Sequence, residues 1–359
     1  MKNNQAQRKA IVLLTAGLAL AAQSQSGPLP TVYRATATVY ASVTYPGQMA
    51  FAADGTMYVA NGDNSGPVKI YRVAPGGTPV ESFGRTAILD PDSVAVDRTG
   101  AISGMPGAVL VGGPGFIKGI SPTGLVFDLF TGLTSFPNIN SFTFDRSGRL
   151  LAMDATGNWG VVTASAVTKL GSVSTSAGDI AADAANRVWI SAYADSRIRI
   201  FSSAGSFLDY ATVGATAPSC LASSASQFWG TNIYAIGSNG NLLNIDLAGN
   251  VKVMGSGFQD AAYLAFGDDG CLYLSDYTNN RIIKIAPDGG PTVNVQLSCV
   301  DICWNSLSNF TYQVQYRSDL TTNQWVNLGS PVPGTGTDMC ATDSVKGQPQ
   351  KFYRVVEQP

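Results

Sequence analysis

A unit of roughly 40 residues recurs about six times in this chain, and this repeat constrains the fold more than any other feature. Each copy has an apolar strand, a polar turn ending in Gly, a second apolar strand, a polar loop and a third strand. The clearest copy runs over residues 263–285, with its turn at 267–270. Repeats of this length, made of short strands, predict a β-propeller.

The period can be measured at the middle of the second strand of each copy. The six positions are Tyr58, Leu110, Leu151, Trp189, Tyr234 and Tyr273. They span 215 residues over five intervals, a mean of 43, which suits blades of four short strands. The first strands carry small or β-branched residues, as expected where strands crowd around a central channel. The sequence therefore predicts an all-β fold with a six-bladed β-propeller over residues 31–290.

A ring of blades needs a strand that closes it. The sixth copy ends near residue 285, whereas residues 33–43 precede the first full copy and have the pattern of an extra strand. We predict that residues 33–43 supply the outer strand of the sixth blade, because this would pair an otherwise open edge. Residues 292–295 are the alternative closing strand.

The N-terminus has the features of a secretory signal peptide. Basic residues precede an apolar run at 11–20 that is too short to cross a bilayer, and residues 19–21 form a small-x-small cleavage site. We predict a signal peptide over 1–21 and a flexible mature N-terminus over 22–30; a single-span anchor is the alternative. The protein is then secreted, extracellular or periplasmic, with no transmembrane segment after processing.

The composition excludes several classes of function. Charged residues make up 13% of the chain and the net charge is −2, so nucleic acid is not an expected partner. The chain has no histidine, which removes Ser-His-Asp and Cys-His catalysis and His-ligated metals. Glutamate is nearly absent as well, with only Glu81 and Glu357. The composition favours a protein without catalytic activity.

The five cysteines include at least one that has no partner within the chain. Cys299 and Cys303 lie four apart on one predicted strand, about 13 Å from each other, so they do not pair together. Cys340 is able to pair with one of them, and the sequence leaves this choice open. Cys220 and Cys271 are predicted to be buried free thiols.

The period stops after Gly290. Residues 291–359 contain alternating apolar stretches separated by turn signals, and they predict six or seven short strands. This pattern is typical of a small immunoglobulin-like or fibronectin-like β-sandwich. A compact β-hairpin appendage docked on the propeller is the alternative.

Several stretches of the repeat resemble the NHL-repeat and gluconolactonase/regucalcin-like propellers of six blades. These stretches are residues 92–100, 140–150, 268–276 and 279–282. The resemblance covers residues 31 to about 290. The tail is similar to the fibronectin-like C-terminal modules of secreted bacterial proteins, at residues 312–320, Trp325 and residues 352–354.

The resemblance implies a divalent cation in the channel, held by residues just before the inner strands. Among the matching positions, only Asp92 and Asn140 keep a ligand type, and the neighbouring ring adds Asp179. Such oxygen ligands would suit Ca²⁺ or Mg²⁺. The channel glutamate of the relatives is missing, and Asx residues before strands often make turns. No cofactor is therefore expected, with a channel Ca²⁺ or Mg²⁺ as the alternative.

Other polar residues at the same ends of the inner strands are candidate ligand-binding residues. They are Gln48, Ser93, Ser141 and Tyr263. We expect a ligand to meet this face, which carries the loops before the inner strands. Two further sets are predicted to be structural. They are the strand-ending Asp97, Asp145 and Asp183, which suit turns, and the blade-spaced Trp159, Trp189 and Trp229, which suit the core.

The sequence thus predicts a secreted, non-catalytic binding or scaffold protein that presents a propeller loop face to an unknown protein or glycan. The alternative is a metal-dependent lactonase-like hydrolase with Asp92, Asn140 and Asp179 around a channel cation.

Overall fold

A computed structural model describes most of the chain. The described residues are 27–63, 66–173, 177–193, 195–214, 217–224, 226, 228–259, 261–288, 299–321, 324–345 and 350–358. They divide into two compact units, one ending at Asp288 and the other beginning at Gly289. The predicted signal peptide, residues 1–21, and the alternative closing strand, residues 292–295, lie outside the described residues.

The first unit contains six antiparallel blades, each running from an innermost to an outermost strand. Two N-terminal strands, β1 (Thr31–Val32) and β2 (Ala35–Ser42), precede the first blade. Blade one contains β3 (Pro46–Phe51), β4 (Met57–Asn61), β5 (Pro67–Val73) and β6 (Val80–Leu89). Blade two contains β7 (Ser93–Asp97), β8 (Ala108–Gly113), β9 (Phe116–Ile120) and β10 (Val126–Thr131). Blade three contains β11 (Ile139–Phe144), β12 (Leu150–Asp154), β13 (Asn158–Val162) and β14 (Val167–Ser172).

The last three blades complete the ring. Blade four contains β15 (Ala177–Ala182), β16 (Val188–Ala192), β17 (Arg197–Phe201) and β18 (Phe207–Thr212). Blade five contains β19 (Pro218–Ser223), β20 (Ile233–Gly237), β21 (Asn241–Ile245) and β22 (Val251–Ser256). Blade six contains β23 (Ala261–Phe266), β24 (Leu272–Asp276) and β25 (Arg281–Pro287). Each innermost strand contacts the innermost strand of the next blade, and β23 contacts β3. The predicted six-bladed propeller is confirmed.

The N-terminal strand closes the sixth blade. Strand β2 pairs antiparallel with β25, from Ala35 opposite Pro287 to Ser42 opposite Arg281. The closure predicted for residues 33–43 is therefore confirmed. In addition, β1 pairs with β22, the outer strand of the fifth blade, so the N-terminal segment joins blades five and six at their outer edges. These pairings cover edges that would otherwise be open.

The segment predicted to be flexible, residues 22–30, is described only from residue 27, and this part is held in place. The backbone N–H of Gly27 donates to Asn279 Oδ1 at 3.3 Å, and the Arg281 guanidinium donates to the carbonyl of Pro28 at 3.1 Å. Arg281 is itself buried and ion-paired with Asp276 at 2.6 Å. These contacts tie Gly27 and Pro28 to blade six, and the flexibility of residues 22–30 stays a prediction.

The core consists of apolar layers between neighbouring blades. The largest side chains in these layers are fully buried, and the three tryptophans predicted to be core residues are among them. They are Trp159, Trp189 and Trp229. Burying a large apolar side chain contributes about 1.5–3 kcal/mol, so these layers supply much of the stability.

The predicted turn-forming aspartates act as predicted. Asp145 Oδ1 accepts the backbone N–H groups of Ser147 and Arg149, both at 2.9 Å. Burial opposes ionisation, but hydrogen bonds from the Ser147 hydroxyl, the Arg149 backbone N–H and the Arg149 guanidinium outweigh it and hold the pKa of Asp145 below its usual value. Asp97 and Asp183 also accept N–H groups of the turn that follows their strand.

The second unit contains two small antiparallel sheets. Its strands are β26 (Cys299–Asn305), β27 (Thr311–Arg317), β28 (Val326–Asn327), β29 (Val332–Pro333), β30 (Asp338–Ser344) and β31 (Phe352–Gln358). Strands β26 and β30 form one sheet, and β27 with β28, β29 and β31 forms the other. The Tyr353 hydroxyl donates to Asp343 across the sheets at 2.8 Å, so the unit is a small two-sheet domain. Its likeness to fibronectin modules stays a prediction.

The cysteine assignments are resolved within this fold. Cys303 of β26 forms a disulfide with Cys340, directly opposite on β30. The other three cysteines form no disulfide: Cys299 is exposed, whereas Cys220 and Cys271 are buried thiols, as predicted. Within the described part of the chain, no helix has the length and apolarity needed to span a bilayer.

Candidate binding channel

The six innermost strands expose backbone N–H and C=O groups toward the axis of the ring. Such groups need hydrogen-bond partners wherever they are buried. Near the start of these strands, side chains supply the partners. We call this face, where the inner strands begin, the start face, and the opposite face, with the turns that follow the inner strands, the hairpin face.

Gln48 links three blades near the start face. The residue is 7% exposed, and its side-chain Oε1 accepts the backbone N–H groups of Val94 and Phe142, both at 3.1 Å. Its Nε2 donates to the carbonyl of Phe142 at 2.9 Å and to Ser141 Oγ at 3.2 Å. Protein groups therefore occupy both acceptor positions of Gln48 Oε1 and both donor positions of its Nε2.

Asp179 continues the same network across the channel. It is 2% exposed; its Oδ1 accepts from the Ser141 hydroxyl and from the N–H of Ile180, and its Oδ2 accepts from the N–H of Leu221 at 2.9 Å. These bonds join blades three, four and five. We call Gln48, Ser141 and Asp179 the polar brace.

Tyr263 adds a sixth blade to these connections. Its hydroxyl donates to the carbonyl of Asn140 at 3.1 Å, so the side chain reaches from blade six to blade three, opposite in the ring. Ser93 Oγ donates to the carbonyl of Ile139 at 3.3 Å and joins blades two and three. The four predicted ligand-binding residues are therefore occupied with contacts between blades.

A cavity of about 510 Å³ lies on the other side of the brace. Gln48 and Asp179 contact its inner end, and Arg98, Thr99, Gly148 and Asp268 of the hairpin-face turns line its outer end. The open part of the channel thus faces away from the side on which the sequence predicts the ligand. We call this part the open half.

Among the described residues, three that are ionisable line the cavity: Arg98, Asp179 and Asp268. The remaining lining side chains are uncharged, and Phe51, Phe144 and Phe266 lie half-buried at the ends of their inner strands. A volume of this size falls within the range of about 300–1,000 Å³ that is common for small-molecule sites.

Arg98 and Asp268 form an ion pair at the rim. Arg98 Nη2 lies 2.8 Å from Asp268 Oδ2, and the guanidinium also donates twice to the carbonyl of Phe51, at 3.2 and 3.0 Å. The arginine side chain is 42% exposed. This pair spans from blade two across blade one to blade six and leaves the rim without net charge.

A second charged group lies beside the rim in the turn of blade six. Lys284 Nζ and the Tyr273 hydroxyl each lie 2.8 Å from Asp269 Oδ2. Burial opposes ionisation of Asp269, but hydrogen bonds from Lys284, Tyr273 and Cys271 outweigh it and hold the pKa of Asp269 below its usual value. Burial likewise raises the pKa of the Cys271 thiol, which disfavours the nucleophilic thiolate.

The three predicted cation ligands lie in different environments. Asp179 already accepts three hydrogen bonds from protein groups, and it belongs to the brace. Asp92 is half-buried, whereas Asn140 is buried and its Oδ1 has no hydrogen-bond partner in the described structure. Across the described residues, no three His, Cys, Asp or Glu side chains come together in a group that would hold a metal ion. The channel cation, with Asp92, Asn140 and Asp179 as its ligands, therefore stays a prediction.

The sequence did not indicate Arg98 or Asp268, because both lie in turns whose residues read as ordinary hairpin signals. Their meeting across blade one depends on ring closure, since blades one, two and six are adjacent only once the ring is complete. The signal that the sequence does contain is an Arg and an Asp in equivalent turns of blades two and six.

Similar solved structures show the same fold. A gluconolactonase from Xanthomonas campestris matches with a TM-score of 0.58 at 13% identity, over 73% of this chain and 95% of that one. Virginiamycin B lyase from Staphylococcus aureus matches with a TM-score of 0.51 at 10% identity, over 70% and 98%. Nidogen, from its complex with laminin, matches with a TM-score of 0.50 at 15% identity, over 68% and 86%.

No protein-family model matches the sequence, and no curated protein matches it. The likeness to solved structures, at identities this low, establishes the fold alone. The chain therefore contains a six-bladed β-propeller, a fold that lactonases, lyases and binding scaffolds share.

Proposed function

We propose that this protein is an exported, non-catalytic binding protein whose propeller channel takes a small ligand from the hairpin face. One observation carries the proposal: among the described residues, the buried side chains of the brace cross the channel near the start face, whereas a cavity of about 510 Å³ lies on the hairpin side. The predicted loop-face function is kept, but we place the ligand at the opposite face from the one that the sequence suggested.

The chemistry of the lining supports binding rather than catalysis. Asp179 accepts three hydrogen bonds, and Arg98 and Asp268 are paired with each other, so each ionisable group of the lining has a structural partner. A general acid or base must instead reach its substrate and exchange a proton with it. The fold does not decide the question, because the similar structures include enzymes and a protein that binds laminin.

The disulfide supports the exported part of the proposal. Cys303–Cys340 would form and persist in an oxidising compartment such as the periplasm or the extracellular space. N-terminal sequencing of protein from the native host tests this point, with a start near Ala22 expected. An intact Met1 on exported protein would contradict it.

Binding in the channel is tested by ligand-observed NMR with a mixture of small fragments. Thr143 lines the cavity and is half-buried, so Thr143→Trp is expected to fill the open half and abolish binding. Thr168→Trp, on the exposed outer strand of the same blade, is the matched control and should bind as the wild type does. Equal binding by all three proteins would show that the channel is not the site.

The alternative function is a cation-dependent lactonase-like hydrolase, and the unpartnered Oδ1 of buried Asn140 is the observation that favours it. Calorimetric titration with Ca²⁺ and Mg²⁺, together with a lactone hydrolysis assay in their presence, tests it directly. We expect neither cation binding nor hydrolysis. Hydrolysis that needs the cation and is lost in Asn140→Ala would replace the binding proposal.

A further inference from the structure

Resting on the proposed function, we infer that the channel ligand is an uncharged small molecule with an aromatic or hydrocarbon body. The cavity, its inner end and its rim each restrict the ligand in a different way. Together they select the chemical class, although the fold alone does not.

The inner end offers a ligand no ready charge partner. Asp179 accepts from one hydroxyl and two backbone N–H groups, and the oxygen and nitrogen of the Gln48 amide are bonded to blades two and three. A ligand that competed for these groups would break contacts between blades. Buried polar groups that lose a partner cost about 1–3 kcal/mol each, so ligands that leave the brace intact are favoured.

The rim is electrically neutral because Arg98 and Asp268 pair at 2.8 Å. A charged ligand would have to disrupt this pair or enter the cavity unpaired. A charged ligand that found no free partner in the cavity would lose hydration without a compensating ion pair, which is unfavourable. Both routes disfavour anions and cations relative to a neutral molecule of the same shape.

The walls between these two ends favour an apolar body. Phe51, Phe144 and Phe266 line the cavity and are half-buried. Small residues such as Ala95 and Ala181 line it elsewhere and leave room for a flat molecule. Aromatic rings gain from offset or edge-to-face contacts with such side chains.

Three fluorescent or ultraviolet-absorbing probes that share a naphthalene ring separate these possibilities. They are neutral N-phenyl-1-naphthylamine, anionic 8-anilinonaphthalene-1-sulfonate and cationic 1-naphthylmethylammonium. We expect the neutral probe to bind at one site per chain, about tenfold or more tightly than either charged probe. Its Kd should change less than about twofold between about 50 and about 500 mM NaCl, since no charge is screened.

The variants locate the binding event. Thr143→Trp is expected to remove binding of the neutral probe, and Ser223→Trp, at a second lining position, checks that the loss reflects filling of the cavity. Thr168→Trp should keep the wild-type Kd. Melting curves of all three variants establish that they are folded.

Each outcome has a distinct meaning. Tighter binding of a charged probe, lost in Thr143→Trp, overturns the inference about ligand class but keeps the channel as the site. If no probe binds, or if the channel variants bind the neutral probe as the wild type does, the proposed function itself is overturned.

Discussion

The two halves of the propeller channel are built from the same six inner strands but use them differently. Near the start face, Gln48 and Asp179 of the brace accept backbone N–H groups from several blades, and the Ser141 hydroxyl links the two side chains across the channel. Toward the hairpin face, the same strands surround a cavity with an ion pair at its rim. One half therefore serves to hold the ring together, and the other half is available for a ligand.

This difference shows how a ring of blades can satisfy its inner edges without filling its channel. A single Gln side chain accepts two N–H groups from different blades, and a single Asp accepts three donors. Because only a few buried side chains are needed, the rest of the channel is free to differ between propellers of one fold. The half of the channel that such side chains leave unfilled then determines where a ligand can bind.

The largest expected effect comes from opening the ring, which removes the support that both halves share. Deleting residues up to 44 removes β2 and leaves β25 with an open edge. Each lost hydrogen bond contributes about 0.5–1.5 kcal/mol, and an exposed edge promotes aggregation, so soluble expression should be lost or the Tm should fall sharply.

Deleting residues up to 26 is the matched control, because it leaves the contacts of Gly27 and Pro28 in place. This shorter deletion should melt like the processed protein. Equal melting temperatures for the two deletions would show that the ring closes without β2.

The next effect separates the two halves. Asp179→Leu leaves the Ser141 hydroxyl and the N–H groups of Ile180 and Leu221 without their acceptor, so the free energy of unfolding should fall by about 3–5 kcal/mol. Thr143→Val, in the open half, should change it by no more than about 0.5 kcal/mol. Urea denaturation measures the free energy of unfolding of both variants. Similar losses for the two variants would refute the division of the channel into a brace and an open half.

A smaller effect is expected for the contact between opposite blades. Tyr263→Phe removes the hydrogen bond to the carbonyl of Asn140 and should cost about 0.5–1.5 kcal/mol. Tyr33→Phe, at a side chain that is 61% exposed, is the control and should leave the urea midpoint unchanged. A midpoint for Tyr263→Phe that matches this control would mean that Tyr263 does not help to hold the ring.

The smallest expected effect is on the pH dependence of the free energy of unfolding, through Asp269 beside the rim. The pKa of Asp269 is lower in the folded protein than its ordinary value of 3.8, so the unfolded chain takes up the proton first. The stability supplied by this group is present above the ordinary pKa and is lost as pH falls through the lowered one. Asp269→Asn should therefore lose less stability than the wild type between about pH 5 and about pH 2.

Thr143→Val carries no change of charge and should keep the wild-type dependence. The measurement is the urea midpoint across the same pH series. If Asp269→Asn and the wild type lose stability in parallel, the pair with Lys284 does not stabilise the fold.

Much of the fold could be predicted from the sequence because its signals are local. The turn at Asp145 is made by residues within four positions, and the strand pattern at 33–43 identified the closing strand. The brace could not be predicted, since Gln48 and Ser141 are 93 positions apart and meet only after the ring forms. The sequence marked both residues as lying near the channel but did not show that their polar atoms would be used by the protein.

The location of the cavity escaped prediction for the same reason. Which half of a channel is filled depends on side chains from five or six blades at once, and no local pattern reports it. The resemblance to lactonase-like propellers drew attention to Asp92 and Asn140 at the start face. The open half instead borders Arg98 and Asp268, whose pairing needs the assembled ring.

The central claim, that the channel is open only on the hairpin side of the brace among the described residues, is tested most directly by a crystal structure with N-phenyl-1-naphthylamine. The account predicts electron density for the probe between Asp179 and the Arg98–Asp268 pair, with the Tyr263–Asn140 contact retained. Density on the start face beside Asp92 and Asn140, with the cavity empty, would contradict it.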